Sequence, residues 1–235
     1  MSDEVHPHKH RNVRGGTARA AVFGVSDGLV SNVSLILGIA GANSSQSLVR
    51  VAGLAGLVAG AVSMAAGEYV SMAAQRELLE YELDLERHSL RINPESETAE
   101  LEAIYRNRGI APDLAAAMAH SVMADPERAL EVHAREEMGV DPGELGQPVV
   151  AAFASFVAFA VGAVLPLMPW FFTGGSSAIV ASIVLGLFGA IGVGAAVAVA
   201  TGRSFPRAIL RQVAIAVVAA AVTYAVGSAV GAEIG

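Results

Sequence analysis

Five stretches of this chain run for more than about 20 residues with no more than two charged side chains each, the length a helix needs to cross a hydrocarbon layer of about 30 Å. They are residues 20–42, 48–74, 149–170, 177–200 and 208–230. Lipid offers no partners to a peptide group, so each run must satisfy its own backbone hydrogen bonds and is read as a spanning α-helix. The first run is longer than the apolar core of a signal peptide, about 7–15 residues, and shows no clear cleavage signal, so it is read as a retained span.

Charge is scarce and unevenly placed. Only 16% of the 235 residues are charged and 54% are hydrophobic, where a soluble domain carries about 25% charge. Residues 77–144 hold 17 of the 22 acids and six of the 15 bases, a net −11 against −7 for the whole chain, which leaves +4 elsewhere. So acidic a soluble part argues against nucleic acid as a partner and for cations. With no cysteine, disulfides, thiolate metal sites and cysteine catalysis are excluded.

The bases set the orientation. Lys9, Arg11, Arg14 and Arg19 precede the first span, and Arg203, Arg207 and Arg211 surround the loop between the fourth and fifth. The loop between the first two spans has only Arg50, and the loop at 169–176 has no charge. The positive-inside rule places the N-terminus, the acidic insert and the last loop in the cytoplasm and the C-terminus outside. The chain is thus read as an all-α polytopic membrane protein with five transmembrane helices and a cytoplasmic helical metal-binding insert. A tail covers 1–18, two transmembrane helices 19–76, the insert 77–145 and three transmembrane helices 146–235.

Within the insert, the second span continues without a breaker to Pro94. A helix is expected from Ser96 as N-cap to the turn at 109–112, a third capped by Asp113 and ending before Asp125-Pro126, and a fourth running to Met138-Gly139.

An ionisable group inside a span is costly and points to function. Asp27 lies about 12 Å along the first helix and heads a face with Ser31 and Ser34, with Asn32 beside it. Glu68 belongs to a face of the second span that reads Gly60, Met64, Glu68, Met72 at steps of four. Carboxylate oxygen with thioether sulfur suits Fe²⁺ or Mn²⁺ better than Mg²⁺. The plainer alternatives are a structural hydrogen bond for Asp27, snorkelling for Glu68 and simple packing for the methionines. Gly24/Gly28, Gly56/Gly60 and Gly227/Gly231 are each four apart, which serves close packing either within one chain or across a two-fold interface. Pro166 and Pro169 are expected to bend or end the third span.

In the insert, Glu82/Glu86 and His133/Glu137 are spaced i, i+4, Glu97/Glu100 i, i+3, and Glu136 adjoins Glu137. Like charges on one helix face repel unless a cation intervenes. Carboxylates with one imidazole suit Fe²⁺, Mn²⁺ or Zn²⁺, although a solvated acidic surface would look similar. His6, His8 and His10 alternate in the tail as a further, weaker metal motif.

Four segments, Gly24-Val-Ser-Asp-Gly-Leu29, Gly60-Ala-Val-Ser-Met-Ala-Ala-Gly-Glu-Tyr-Val-Ser71, Pro166-Leu-Met-Pro169 and Thr201-Gly-Arg-Ser204, resemble the vacuolar iron transporter family in a bacterial-type version. The resemblance covers nearly the whole chain after residue 15. It implies five spans, a homodimer with the ion path between protomers, and export of Fe²⁺ or Mn²⁺ from the cytosol in exchange for protons. It also implies that Asp27 and Met64 line the path and that Glu86, Glu97, Glu100 and Glu137 of the insert gather metal. The chain departs from the family pattern at Ser89, where some members have a second glutamate, at His133, where some have methionine, and at Gly56, where some plant members have a membrane glutamate.

The resulting expectation is a cation/proton antiporter in a prokaryotic plasma membrane. No tightly bound cofactor is expected, only the transported or bound divalent metal. Asp27 would hold metal when ionised and a proton when not, with Met64, Glu68, Ser31, Asn32 and Met72 completing the path and Glu68 receiving metal from the insert. The rivals are a metal-gated channel or metal sensor, and a membrane di-iron enzyme. Di-iron bundles use Glu-x-x-His motifs, and the chain has none. It has no phosphate-cradling P-loop either, so neither an enzyme nor an ATP-driven pump is expected.

Overall fold

The computed structural model describes residues 16–42, 45–143 and 145–234. The tail motif of His6, His8 and His10 lies outside them. The described residues form eight α-helices and one 3₁₀ turn, with no strand. These are α1 (Gly16–Gly41), α2 (Gln46–Ile92), α3 (Pro94–Asn107), α4 (Pro112–Met123), α5 (Pro126–Glu136), α6 (Pro148–Leu167), the 3₁₀ turn Met168–Phe171, α7 (Gly175–Thr201) and α8 (Phe205–Ile234). Five helical segments are long and apolar enough to cross a membrane, one in each expected stretch: Ala20–Gly41, Gln46–Ile92, Pro148–Phe171, Gly175–Thr201 and Phe205–Ala232.

Proline writes most of the boundaries. Helices α3 to α6 each begin on one, because the first helical position needs no N–H donor and proline's φ suits it. This corrects two expected starts. α3 opens at Pro94 behind Asn93, not at Ser96, and α4 opens at Pro112, which leaves Asp113 in the first turn, where its charge complements the helix dipole. α5 stops at Glu136, short of Met138-Gly139; Gly139, at φ 66°, turns the chain away and Val140 N–H returns to the Ala134 carbonyl. Asp125 is the N-cap of α5, its carboxylate accepting from the N–H groups of Glu127 and Arg128.

The chain divides into two compact units, one holding residues up to Tyr69 together with Pro148 onward, the other Val70–Gln147. In the first, α1 packs against α6, α7 and α8. Leu29, Ala190 and Ala216 form one buried cluster, and Ile36, Val49, Leu167, Trp170 and Ala178 another. Large apolar side chains such as Phe153, Phe188 and Leu210 cover the outside, as lipid requires and water would not.

The paired glycines sort themselves by what they face. A Cβ on Gly24 or Gly28 would strike the backbone of α6 around Ala158 and Phe159, and one on Gly227 or Gly231 would strike the backbone of Gly38 in α1 or of Ala42 just past its end. Gly56 and Gly60, on α2, meet only side chains: those of Leu35 and Asn32 at Gly56, and the Phe159 ring at Gly60. All three pairs therefore serve packing within one chain.

Pro166 sits inside the last turn of α6, and the 3₁₀ turn follows it. The freed carbonyls there are taken by side chains. Ser182 Oγ donates to the Pro166 carbonyl (2.7 Å) and accepts from Trp170 Nε1 (2.9 Å). Gln46 Nε2 and Arg50 Nε both donate to the Trp170 carbonyl, and Gln46 also reaches Thr173. Arg50, expected in the first loop, lies instead in the first turns of α2, where it has a backbone to hold, with its guanidinium 5.8 Å from the Phe171 ring centroid.

The second unit has a core of Leu101, Tyr105, Ala115, Ala119 and Val122 between α3 and α4. Leu83 of α2 packs on Leu130 and Ala134 of α5.

Candidate functional site

A cavity of about 290 Å³ lies in the first unit, between α1, α2 and α6. α1 contributes Asp27, Ser31 and Asn32, α2 contributes Gly56, Gly60, Ser63 and Met64, and Phe159 of α6 closes one side. Asp27 and Ser31 are exposed on the single chain, whereas Asn32 is buried. Four residues singled out for an ion path (Asp27, Ser31, Asn32 and Met64) therefore line one cavity. Glu68 and Met72 are not among its lining residues. Met72 belongs to the other unit, with its methyl group against Gly146. Ser34 is buried away from the cavity.

Sequence reasoning did not include Ser63 and Phe159. Ser63 carried a signal, a hydroxyl in an apolar run next to Met64, while Phe159 carried none. Beside Asp27, Ser26 Oγ accepts from the buried Gln212 Nε2 at 2.6 Å, which ties α1 to α8. Chemically the cavity offers a carboxylate, an amide, two hydroxyls and a thioether, a set suited to a divalent transition metal.

A second group forms within the other unit. Glu86 of α2 meets His133 of α5 and Glu137, the C-cap of that helix, and one ligand atom from each lies within 4.8 Å of the others. His133 is fully buried, its Nδ1 2.6 Å from Glu137 Oε1 and 3.2 Å from Glu86 Oε1. The packing of Leu83 on Leu130 and Ala134 sets this register. Ionised carboxylates only accept, so with both ionised Nδ1 carries the proton. A metal ion would take that proton's place, making the group a two-oxygen, one-nitrogen site of the kind Fe²⁺, Mn²⁺ and Zn²⁺ accept.

The other acidic candidates divide. Glu97 and Glu100 lie within electrostatic reach of Glu86 but outside the three-residue group. Glu136 turns to Arg108. Glu82 is exposed and outside the group.

Burial, then the neighbouring Glu137, pushes the Glu86 carboxyl above its ordinary 4.5; Glu97 and Glu100 add to the rise and His133 opposes it. Glu97 is raised too, by burial first and then Glu100. A carboxyl raised in the fold favours folding most below its unfolded value, and that contribution is lost as pH rises through the folded value. A divalent cation reverses the penalty, and protons compete with it. Mn²⁺ is therefore expected to raise the melting temperature of the purified protein at about pH 7 and to leave it unchanged at about pH 4.5. Equal thermal shifts at both pH values would remove these carboxylates from the ligand set.

A family model described as "VIT family" matches residues 18–228. The chain is 37% identical over 193 residues to a protein of Acanthamoeba castellanii named vacuolar iron transporter, a match covering 78% of this chain and 70% of that protein. It is 32% identical over 184 residues to vacuolar iron transporter 1 of Arabidopsis thaliana, covering 78% and 73%. With the rice (Oryza sativa subsp. japonica) protein named vacuolar iron transporter homolog 2 it shares 37% identity over 180 residues, covering 74% and 72%.

Proposed function

This chain belongs to the VIT family, and from that premise we propose that it carries Fe²⁺ or Mn²⁺ across a membrane, out of the cytosol, in exchange for protons. The observation that carries the reading is the cavity between α1, α2 and α6, where Asp27, Ser31, Asn32 and Met64 converge among otherwise apolar helices. A carboxylate at that depth is costly unless a cation keeps it company. On this reading Asp27 holds the metal when ionised and a proton when not, and that competition couples the two flows. Because Asp27 is exposed on a single chain, a second copy covering that face, as a homodimer, would shield it from lipid. Glu68 and Met72 extend the path along α2.

The acidic unit gathers the metal. Glu86, His133 and Glu137 form the central site, and Glu97 and Glu100 add to the negative field around it. Glu82 and Glu136 belong to the surrounding charge. The N-terminus and this insert lie in the cytoplasm and the C-terminus outside, in keeping with the bases at Arg203, Arg207 and Arg211; the membrane itself is a prokaryotic plasma membrane.

One observation favours a second reading. The metal group of the insert has its own buried imidazole and its own helix pair, as a sensor that gates a channel would need. Reconstitution into liposomes separates the two. With Fe²⁺, Mn²⁺ or Zn²⁺ supplied on one side, an exchanger moves protons against the metal and internal pH changes in step with uptake. Metal flux with constant internal pH would replace exchange by a channel, and no metal flux at all would sink both.

A further inference from the structure

Asn32 holds a buried carbonyl oxygen that the packing of the helices does not require. The side chain is 2% exposed. Its Nδ2 donates to the Ala163 carbonyl at 2.6 Å. A carbonyl oxygen only accepts, so the amide cannot be turned the other way. Oδ1 is thereby aimed from α1 towards α2, where it faces Gly56; a Cβ on that glycine would sit 3.3 Å from it. No protein donor reaches Oδ1 among the described residues, and both Asn32 and Gly56 line the cavity that contains Asp27 and Met64. Pinning α1 to α6 accounts for the nitrogen and leaves the oxygen unexplained, since a buried acceptor without a partner weakens a fold.

We propose that Asn32 is a specificity-determining ligand of the transport path, its amide oxygen coordinating the divalent ion beside the Asp27 carboxylate. This rests on the transport reading above. The oxygen adds a hard, neutral donor to a site whose soft component is the Met64 thioether. Mn²⁺ favours oxygen donors and higher coordination numbers, whereas Zn²⁺ is satisfied by fewer ligands and readily takes nitrogen or sulfur. Asn32 therefore tilts the path towards Mn²⁺ and against Zn²⁺.

The test uses the full-length protein in liposomes with Mn²⁺ and Zn²⁺ measured in parallel, and melting temperature as a separate readout. Asn32→Leu keeps the branched outline of the side chain and removes the oxygen. It is expected to raise the KM for Mn²⁺ about tenfold more than that for Zn²⁺. A purely structural pin would lower the melting temperature and leave the ratio of the two KM values unchanged, and that outcome overturns the proposal. Should Asn32→Leu fail to fold, Asn32→Asp decides: a harder, charged oxygen at this place moves the ratio further towards Mn²⁺, and an unchanged ratio overturns the proposal. Wild-type protein that moves neither metal removes the transport reading and this inference together. Wild-type flux with an indifferent residue 32 removes this inference alone.

Discussion

Replacing Asp27 by asparagine is expected to stop metal flux and to leave the protein folded. The change keeps the shape of the side chain and removes its charge. In water that would matter little, but among the described residues that line the cavity Asp27 alone carries a charge to offer a metal ion. Mutating a group that merely supports a metal ligand lowers affinity about 10–100-fold, so losing the charged ligand itself should lower the initial rate of Mn²⁺ uptake by at least about 100-fold. Stability should move the other way or not at all, because a charge deep in a bilayer is a burden on the fold. Helix content and melting temperature in detergent check the second half. Wild-type flux through Asp27→Asn would take the carboxylate out of the mechanism, and loss of helix content would make it a structural group.

The double substitution Glu86→Gln with Glu137→Gln should likewise separate stability from function, in the other unit. The Glu86 carboxyl is disfavoured in its ionised form by burial and then by Glu137. Neutral amides of the same size lift that penalty and can still accept from His133 Nδ1. The metal-free protein should therefore melt at a higher temperature near neutral pH than the parent. Its affinity for Mn²⁺ at the insert should fall at least about 100-fold, because both ligand oxygens lose their charge. Calorimetric titration with the metal, on the same samples used for thermal melting, gives both numbers. A variant that melts lower and binds metal as before would show that the group is a structural ion pair.

Much of the fold was legible because lipid leaves few choices. Apolar runs of spanning length, interrupted by turns, could only be helices, and each of the five expected stretches contains one. Proline decided the insert's helix starts, but its preference for the first helical position competed in the sequence with Ser96 and Asp113 as caps, and only the backbone shows which prevails. The glycine pairs were ambiguous for a physical reason: a missing Cβ permits close approach without saying to what.

The sites were legible in unequal measure. Asp27 announced itself by charge in an apolar run. Glu86 lies 47 residues before His133, and only the packing of Leu83 on Leu130 and Ala134 unites them. Helical spacing drew attention equally to Glu82, which stands apart. Asn32 was visible as a polar residue in a span, but the direction of its amide depends on a carbonyl 131 residues away.

The unequal contacts of the glycines divide the cavity into a fixed wall and a yielding one. α1 is seated on α6 and α8 peptide against peptide, through Gly24, Gly28, Gly162, Gly227 and Gly231, and two backbones in such contact cannot slide or roll without collision. At Gly53, Gly56 and Gly60 α2 meets side chains instead, those of Leu167 and Ile36, of Leu35 and Asn32, and of Phe159, and side chains can change rotamer; its first turns are held more firmly, by Gln46 and Arg50 on the Trp170 carbonyl. On the transport reading, opening the cavity there would fall to α2: Met64 would travel while Asp27 kept its station, and an ion would be let go by sulfur before oxygen.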